Sequence, residues 1–161
     1  MILIGLGANV SGPWGSPQQT LERAILILNE APLSLVKVST IIASKPFGVT
    51  DQPDFVNAVA RIKTALAPEA LMARLHEIEL LADRRRTVRW GPRTLDLDLL
   101  DYDGLILAGE GEADGHRTPL VLPHPGITER SFVLGPIAEI LPEWKHPVIG
   151  LSARAMLQQI Q

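Results

Sequence analysis

The run RWGPRTLDLDLLDYDG, residues 89–104, sets arginines beside a leucine ladder studded with acids. Within it, TLDLDLL (residues 94–100) alternates apolar and polar, and successive side chains of a strand point to opposite faces. Leu95, Leu97 and Leu99 then face a core, while Asp96 and Asp98 share the other face. Two carboxylates so placed on a rigid strand can bridge one or two hard cations, and Mg²⁺ takes few protein oxygens beside water and phosphate oxygens. A solvated strand face accounts for the spacing equally well. A calcium loop of the EF-hand type fits worse, because Leu100 and Asp101 fall where its pattern needs other residues. Asp101 and Asp103 suit a turn at Gly104.

Upstream, MILIGL reads as a buried central strand stopping at Gly5–Gly7. SGPWGSP is a loop, and Pro17 then opens a helix in which Leu21, Ala24, Ile25 and Leu28 recur until Pro32. LSLVKVSTIIAS and FVNAVARIKTAL are rich in Val, Ile and Thr and read as paired strands, joined by the loop KPFGVTDQPD. APEALMARLHEIELLAD is a second helix with Leu71, Leu75, Ile78 and Ala82 on one stripe. Strand, helix, strand, strand, helix, strand is the split βαβ order of a ferredoxin-like α+β sandwich: a mainly antiparallel sheet with helices on one face. Its other face, or the loops after Asn9, after Ser44 and before Trp90, remain for ligands. Downstream, LILA is expected to pair back as a short ribbon, GEGEADGHRT to form a loop, and RSFVLGPIAEI and LSARAMLQQI to finish as mixed and helical pieces.

With 161 residues, 46% of them hydrophobic and 20% charged, the chain suits one folded domain over residues 1–161. It has no cysteine, which excludes disulfide scaffolds, thiolate metal sites and thiol nucleophiles and fits a cytoplasmic setting. A net charge of -3 speaks against a protein that coats nucleic acid. The N-terminus lacks the basic lead-in and cleavage site of a signal peptide. No apolar run approaches the roughly 20 residues of a membrane helix.

Arg84, Arg85, Arg86, Arg89 and Arg93 are a third of the 15 lysines and arginines. Such a cluster repels itself unless something anionic meets it, and guanidinium groups grip phosphate oxygens bidentately. A nucleic-acid patch is one outcome, weakened by Asp96 and Asp98 just downstream. A nucleotide polyphosphate, bound through Mg²⁺ and Arg together, reconciles acids with arginines.

RWGPRTLDLDLL, DQPDFVNAV and LPHPGITERSFVLGPIAEILPE, with the opening GLGAN and HEIELLADRRR, closely resemble the 6-hydroxymethyl-7,8-dihydropterin pyrophosphokinase family over nearly the whole chain. The resemblance implies a ferredoxin-like fold, two Mg²⁺ ions, ATP as co-substrate, and transfer of its terminal diphosphate to the pterin's hydroxymethyl group with release of AMP. By the same resemblance, Asp96 and Asp98 are metal ligands. Arg84 and Arg86 belong to a loop closing over ATP, and Arg93 joins them in catalysis. Arg89, Trp90, Glu79, His124 and Arg130 contact nucleotide or phosphate. Asn57 reads the pterin edge, Phe55 and Phe132 sandwich its ring, and backbone groups around Ser44 and Phe47 add hydrogen bonds. The implied partners are these small molecules, with no nucleic acid, no membrane and a monomeric chain.

Each of these residues also has a plainer use. Asn57 lies mid-strand and can bond backbone; Phe55, Phe132 and Trp90 can be packing; His124 stands in a stiff Pro123–Pro125 frame; Glu79 borders the buried helical stripe. Asp83 stands where the family's glycine precedes the arginine loop, that loop is short, Phe55 replaces a common Tyr, and residues 105–122 are longer than expected. The competing expectations are a non-catalytic ferredoxin-like RNA-binding module, with exposed sheet aromatics and no metal requirement, and a paralogue acting on another alcohol.

Overall fold

The computed structural model describes residues 1–46, 51–82, 93–109 and 120–160. Its centre is β1 (Ile2–Ala8), buried along its whole length. Gly5 and Gly7 do not end this strand, as the sequence suggested; pairing continues through Ala8. β1 lies between β4 (Phe55–Thr64) and β5 (Asp96–Tyr102), antiparallel to both. β2 (Leu33–Val38) and β3 (Ile42–Ser44) both pair with β4, giving the sheet order β2-β4-β1-β5 with β3 alongside β4. Taking β2 and β3 as one broken strand, this is the ferredoxin-like order.

The stretch LSLVKVSTIIAS is thus two strands, and Ser39 explains the break. Its buried hydroxyl accepts Val59 N–H at 2.9 Å and donates to Thr40 C=O at 3.0 Å, so a side chain replaces part of the ladder. Thr40 then turns outward, its N–H and hydroxyl both meeting the Glu139 carboxylate.

α1 (Pro17–Ile27) starts where proline and capping chemistry agree. The Ser16 side chain accepts Gln19 N–H, and the Gln19 side chain accepts Ser16 N–H. α2 (Pro68–Leu81) opens on Pro68 without a side-chain cap. Leu21, Ala24 and Leu28 from α1, and Leu71, Leu75, Ile78 and Ala82 from α2, pack on one sheet face. There they meet Ile2, Ile4 and Leu6 of β1 and the three expected leucines, Leu95, Leu97 and Leu99.

The expectation of helices on one face alone needs correction. α3 (Ser131–Ile140) and α4 (Ala153–Ile160) cover part of the second face. Val133, Leu134, Ile137 and Met156 bury against Leu3, Val59 and Leu100 there. α3 stays helical through Gly135–Pro136 because this apolar side outweighs the propensity cost; Pro136 itself is buried. An RNA-binding module of this fold would need that face open, so the covering layer removes the rival's platform.

A bulge at Leu100 turns β5. Leu3 pairs with Asp101 and Ile4 with Leu99, so Asp101 swings to the α3 side. There its carboxylate accepts Trp144 Nε1–H at 2.8 Å and Gly104 N–H at 3.1 Å. The expected turn role of Asp101 and Asp103 is therefore correct, with Asp103 itself at φ 52. LILA does not pair back on β5: β6 (Leu107–Ala108) pairs with β7 (Val121–Leu122). Most of GEGEADGHRT lies outside the described residues.

Candidate active site

The uncovered part of the second face is an open pocket, about 740 Å³ with the solvent at its mouth included. Gly5 and Gly7 form its floor, because a strand residue without a side chain leaves that face hollow. A Cβ on Gly7 would stand 3.4 Å from Asn57 Oδ1 and 3.8 Å from the Phe55 ring. Around this floor stand Ser44, Phe55 and Asn57 on one side, Asp96, Asp98 and Arg93 on another, and Arg130 and Phe132 at the mouth of α3. Residues far apart in sequence, each singled out for a different reason, line one cavity.

At one end the groups suit a flat polar heterocycle. Asn57 is buried, and its Nδ2 donates to Ser44 Oγ at 2.6 Å. Register explains the contact: β3 and β4 pair Ile42 with Asn57 and Ser44 with Phe55. Among the described residues no hydrogen bond reaches Asn57 Oδ1, so this acceptor is available to a ligand. Phe55 and Phe132, from β4 and the first turn of α3, line the same space.

At the other end the groups are charged. Asp96 and Asp98 share the pocket side of β5, as alternation required. Asp98 Oδ1 stands 3.9 Å from His124 Nε2. His124 Nδ1 accepts Gly126 N–H at 3.0 Å, and the His124 backbone N–H donates to Leu100 C=O at 2.9 Å on the outer edge of β5. With Nδ1 an acceptor, the neutral ring carries its proton on Nε2, a donor directed at the acid end of the pocket. Burial first, and then the Arg130 charge, lower the imidazole pKa to about 4 against the opposing pull of Asp96. The Arg130 guanidinium lies 5.8 Å from the Phe132 ring centre. It also fills the space a side chain at Gly126 would occupy, since a Cβ there would come within 2.8 Å of it.

Glu79 is buried on α2, on the far side of the sheet, and its carboxylate accepts Leu97 N–H at 2.8 Å. It is not among the described residues that line the pocket, and it has a further contact beyond the bond to Leu97. Phe47, Arg84, Arg86, Arg89 and Trp90 lie outside the described residues. Sequence reasoning did not single out Gly5, Gly7 or Lys45 as lining residues, nor Asn9 as a contact. A Gly-x-Gly inside a strand was the available signal for the first two.

Residues 3–142 match the family described as 7,8-dihydro-6-hydroxymethylpterin-pyrophosphokinase (HPPK). The chain belongs to the HPPK family. A 2-amino-4-hydroxy-6-hydroxymethyldihydropteridine pyrophosphokinase of Pseudomonas aeruginosa is 40% identical over 147 residues, covering 91% of this chain and 83% of that protein. The Bacillus subtilis protein of the same name is 39% identical over 138 residues, 85% of this chain and 75% of its own. The Folic acid synthesis protein fol1 of Pneumocystis carinii is 35% identical over 159 residues, which are 99% of this chain but 20% of that longer protein. Among solved structures, Plasmodium falciparum HPPK-DHPS superimposes with a TM-score of 0.74 at 14% identity, covering 98% of this chain and 43% of that one. That likeness concerns the fold.

Proposed function

We infer that this chain transfers diphosphate from ATP to the hydroxymethyl group of 6-hydroxymethyl-7,8-dihydropterin, releasing AMP, a step of folate biosynthesis. The observation that carries this is the pocket's polarity: Asn57 with two phenylalanines in one part of the lining, Asp96 and Asp98 with arginines in another. The pterin lies at the Asn57 end, where Oδ1 accepts from a ring N–H and the phenyl rings stack on its faces. The polyphosphate lies along Arg93, Arg130 and the Nε2–H of His124.

Two carboxylates on one strand face, open to the pocket, suit Mg²⁺, which keeps waters and phosphate oxygens as most of its ligands. Asp96 and Asp98 would hold two such ions, which would neutralise phosphate charge. The pterin alcohol oxygen bonds to the β-phosphorus as the bond from that phosphorus to the α-phosphate oxygen breaks. AMP leaves and the alcohol proton is released. Arg93 and Arg130 balance the negative charge that builds up, and the walls hold oxygen and phosphorus in line, so catalysis is by positioning and charge neutralisation. Arg84, Arg86, Arg89 and Trp90, which the family resemblance assigns to the nucleotide, lie outside the described residues. In this reading the enzyme acts as a cytoplasmic monomer.

The test supplies ATP, Mg²⁺ and the pterin and identifies the nucleotide product. AMP formed only when the pterin is present is the expected result; ADP, or no pterin dependence, overturns it. Asp96→Ala and Asp98→Ala should each lower turnover by about a hundredfold or more while the chain stays folded. Wild-type-like activity in either variant would remove the metal assignment.

A further inference from the structure

Asn9 directly follows β1 and is a buried amide, 2% exposed. Its Oδ1 accepts Arg93 N–H at 2.8 Å, and its own backbone N–H donates to Arg93 C=O at 3.0 Å. Its Nδ2 donates to Gln52 Oε1 at 2.8 Å and to Pro53 C=O at 2.9 Å. Both amide hydrogens and the carbonyl oxygen are engaged, so the side chain has one orientation.

The partners belong to segments that lead to different parts of the pocket lining. Arg93 precedes β5, which carries Asp96 and Asp98; Gln52 and Pro53 precede Phe55, where β4 begins. Neither residues 51–54 nor residues 93–95 belong to a strand, so no ladder fixes them relative to each other. Among the described residues, the Asn9 side chain bonds to both. Any shift of Arg93 on binding phosphate pulls on the approach to Phe55, and the reverse.

We propose that Asn9 is a positioning residue that couples the two substrate subsites, so that filling one end favours filling the other. This rests on the pocket taking ATP and a pterin. Such coupling is reciprocal and is read as an affinity ratio, which a merely structural residue leaves unchanged. Arg93 also has contacts beyond those with Asn9, so loss of the amide loosens its backbone without releasing the side chain.

The experiment is calorimetry with the pterin and with a non-hydrolysable ATP analogue plus Mg²⁺. Each is titrated alone and with the other present, into the wild type, Asn9→Ala and Asn9→Asp. In the wild type the analogue should tighten pterin binding by about fivefold or more. In Asn9→Ala that ratio should fall towards one, and hydrogen exchange at the Arg93 amide should quicken. Asn9→Asp keeps the acceptor for Arg93 N–H but sets an oxygen against Pro53 C=O, which cannot turn to donate as Gln52 can. It should keep Arg93 amide protection, lose most of the coupling, and lower kcat more than it raises either KM. If Asn9→Ala does not fold, Asn9→Asp alone decides. A wild-type coupling ratio in the variant that folds overturns the role of Asn9, as does a wild type that binds both ligands independently; neither touches the activity. A wild type that binds neither ligand defeats the pocket assignment itself, and the proposal with it.

Discussion

Asn57 and His124 show how a single side chain acquires a function from its neighbours. In sequence Asn57 is an amide in an apolar strand, and nothing beside it says which way it points. Pairing with β3 supplies Ser44 Oγ to its Nδ2 and leaves Oδ1 facing the pocket. Asn57→Ala should weaken pterin binding by about 1–3 kcal/mol, since buried pterin groups lose their partner, and leave binding of an ATP analogue nearly unchanged; calorimetry with both ligands checks this. His124 is held neutral by burial and by Arg130. Its folded pKa lies below the unfolded value of 6.5, so between pH 6.5 and about 4 the unfolded chain binds more protons. Its contribution to stability is therefore complete above pH 6.5 and is lost as the pH falls towards 4. In metal-free protein the His124 ring should titrate near 4 by NMR; a midpoint at 6.5 would mean that the ring is not buried as described.

At the scale of elements, β5 matters most, because it carries the acid pair and is the outer strand beside β1. Among the described residues, contacts that meet its outer edge are Glu79 at Leu97 N–H and the His124 backbone N–H at Leu100 C=O. Glu79 thus fixes the strand from behind while the acids project in front. Glu79→Leu should strand the Leu97 N–H and destabilise the protein by about 1–3 kcal/mol. Glu79→Gln keeps an acceptor and should lose less, with urea unfolding as the measure. Alternation along TLDLDLL was legible because strand geometry alone sends Leu95, Leu97 and Leu99 one way and the acids the other. The break between β2 and β3 was not, because LSLVKVSTIIAS has uniform strand propensity. The interruption comes from Ser39 bonding Val59 on a neighbouring strand.

For the molecule as a whole, the α3–α4 layer decides how much of the second sheet face stays open. Its buried polar tie is the bond from Trp144 Nε1 to Asp101. Trp144→Phe retains most of the ring but leaves a carboxylate oxygen without this donor, for a loss of about 1–3 kcal/mol in stability. AMP formation per folded molecule should be unaffected, because the bond lies outside the pocket lining. Unchanged unfolding free energy in that variant would mean the tie contributes nothing net. By itself the sequence determined the order of strands and helices, the facing of the acid pair, the helix starts at Pro17 and Pro68 and, through its motifs, the family. These follow from short-range rules of periodicity, capping and residue pattern. Only the tertiary structure decided that Gly5 and Gly7 hollow out a floor, that Glu79 lies behind the sheet, that α3 and α4 close part of the second face, and that Asn9 ties Arg93 to Gln52 and Pro53. Each of those depends on contacts between residues tens of positions apart, and no local pattern encodes which distant backbone group a buried side chain will meet.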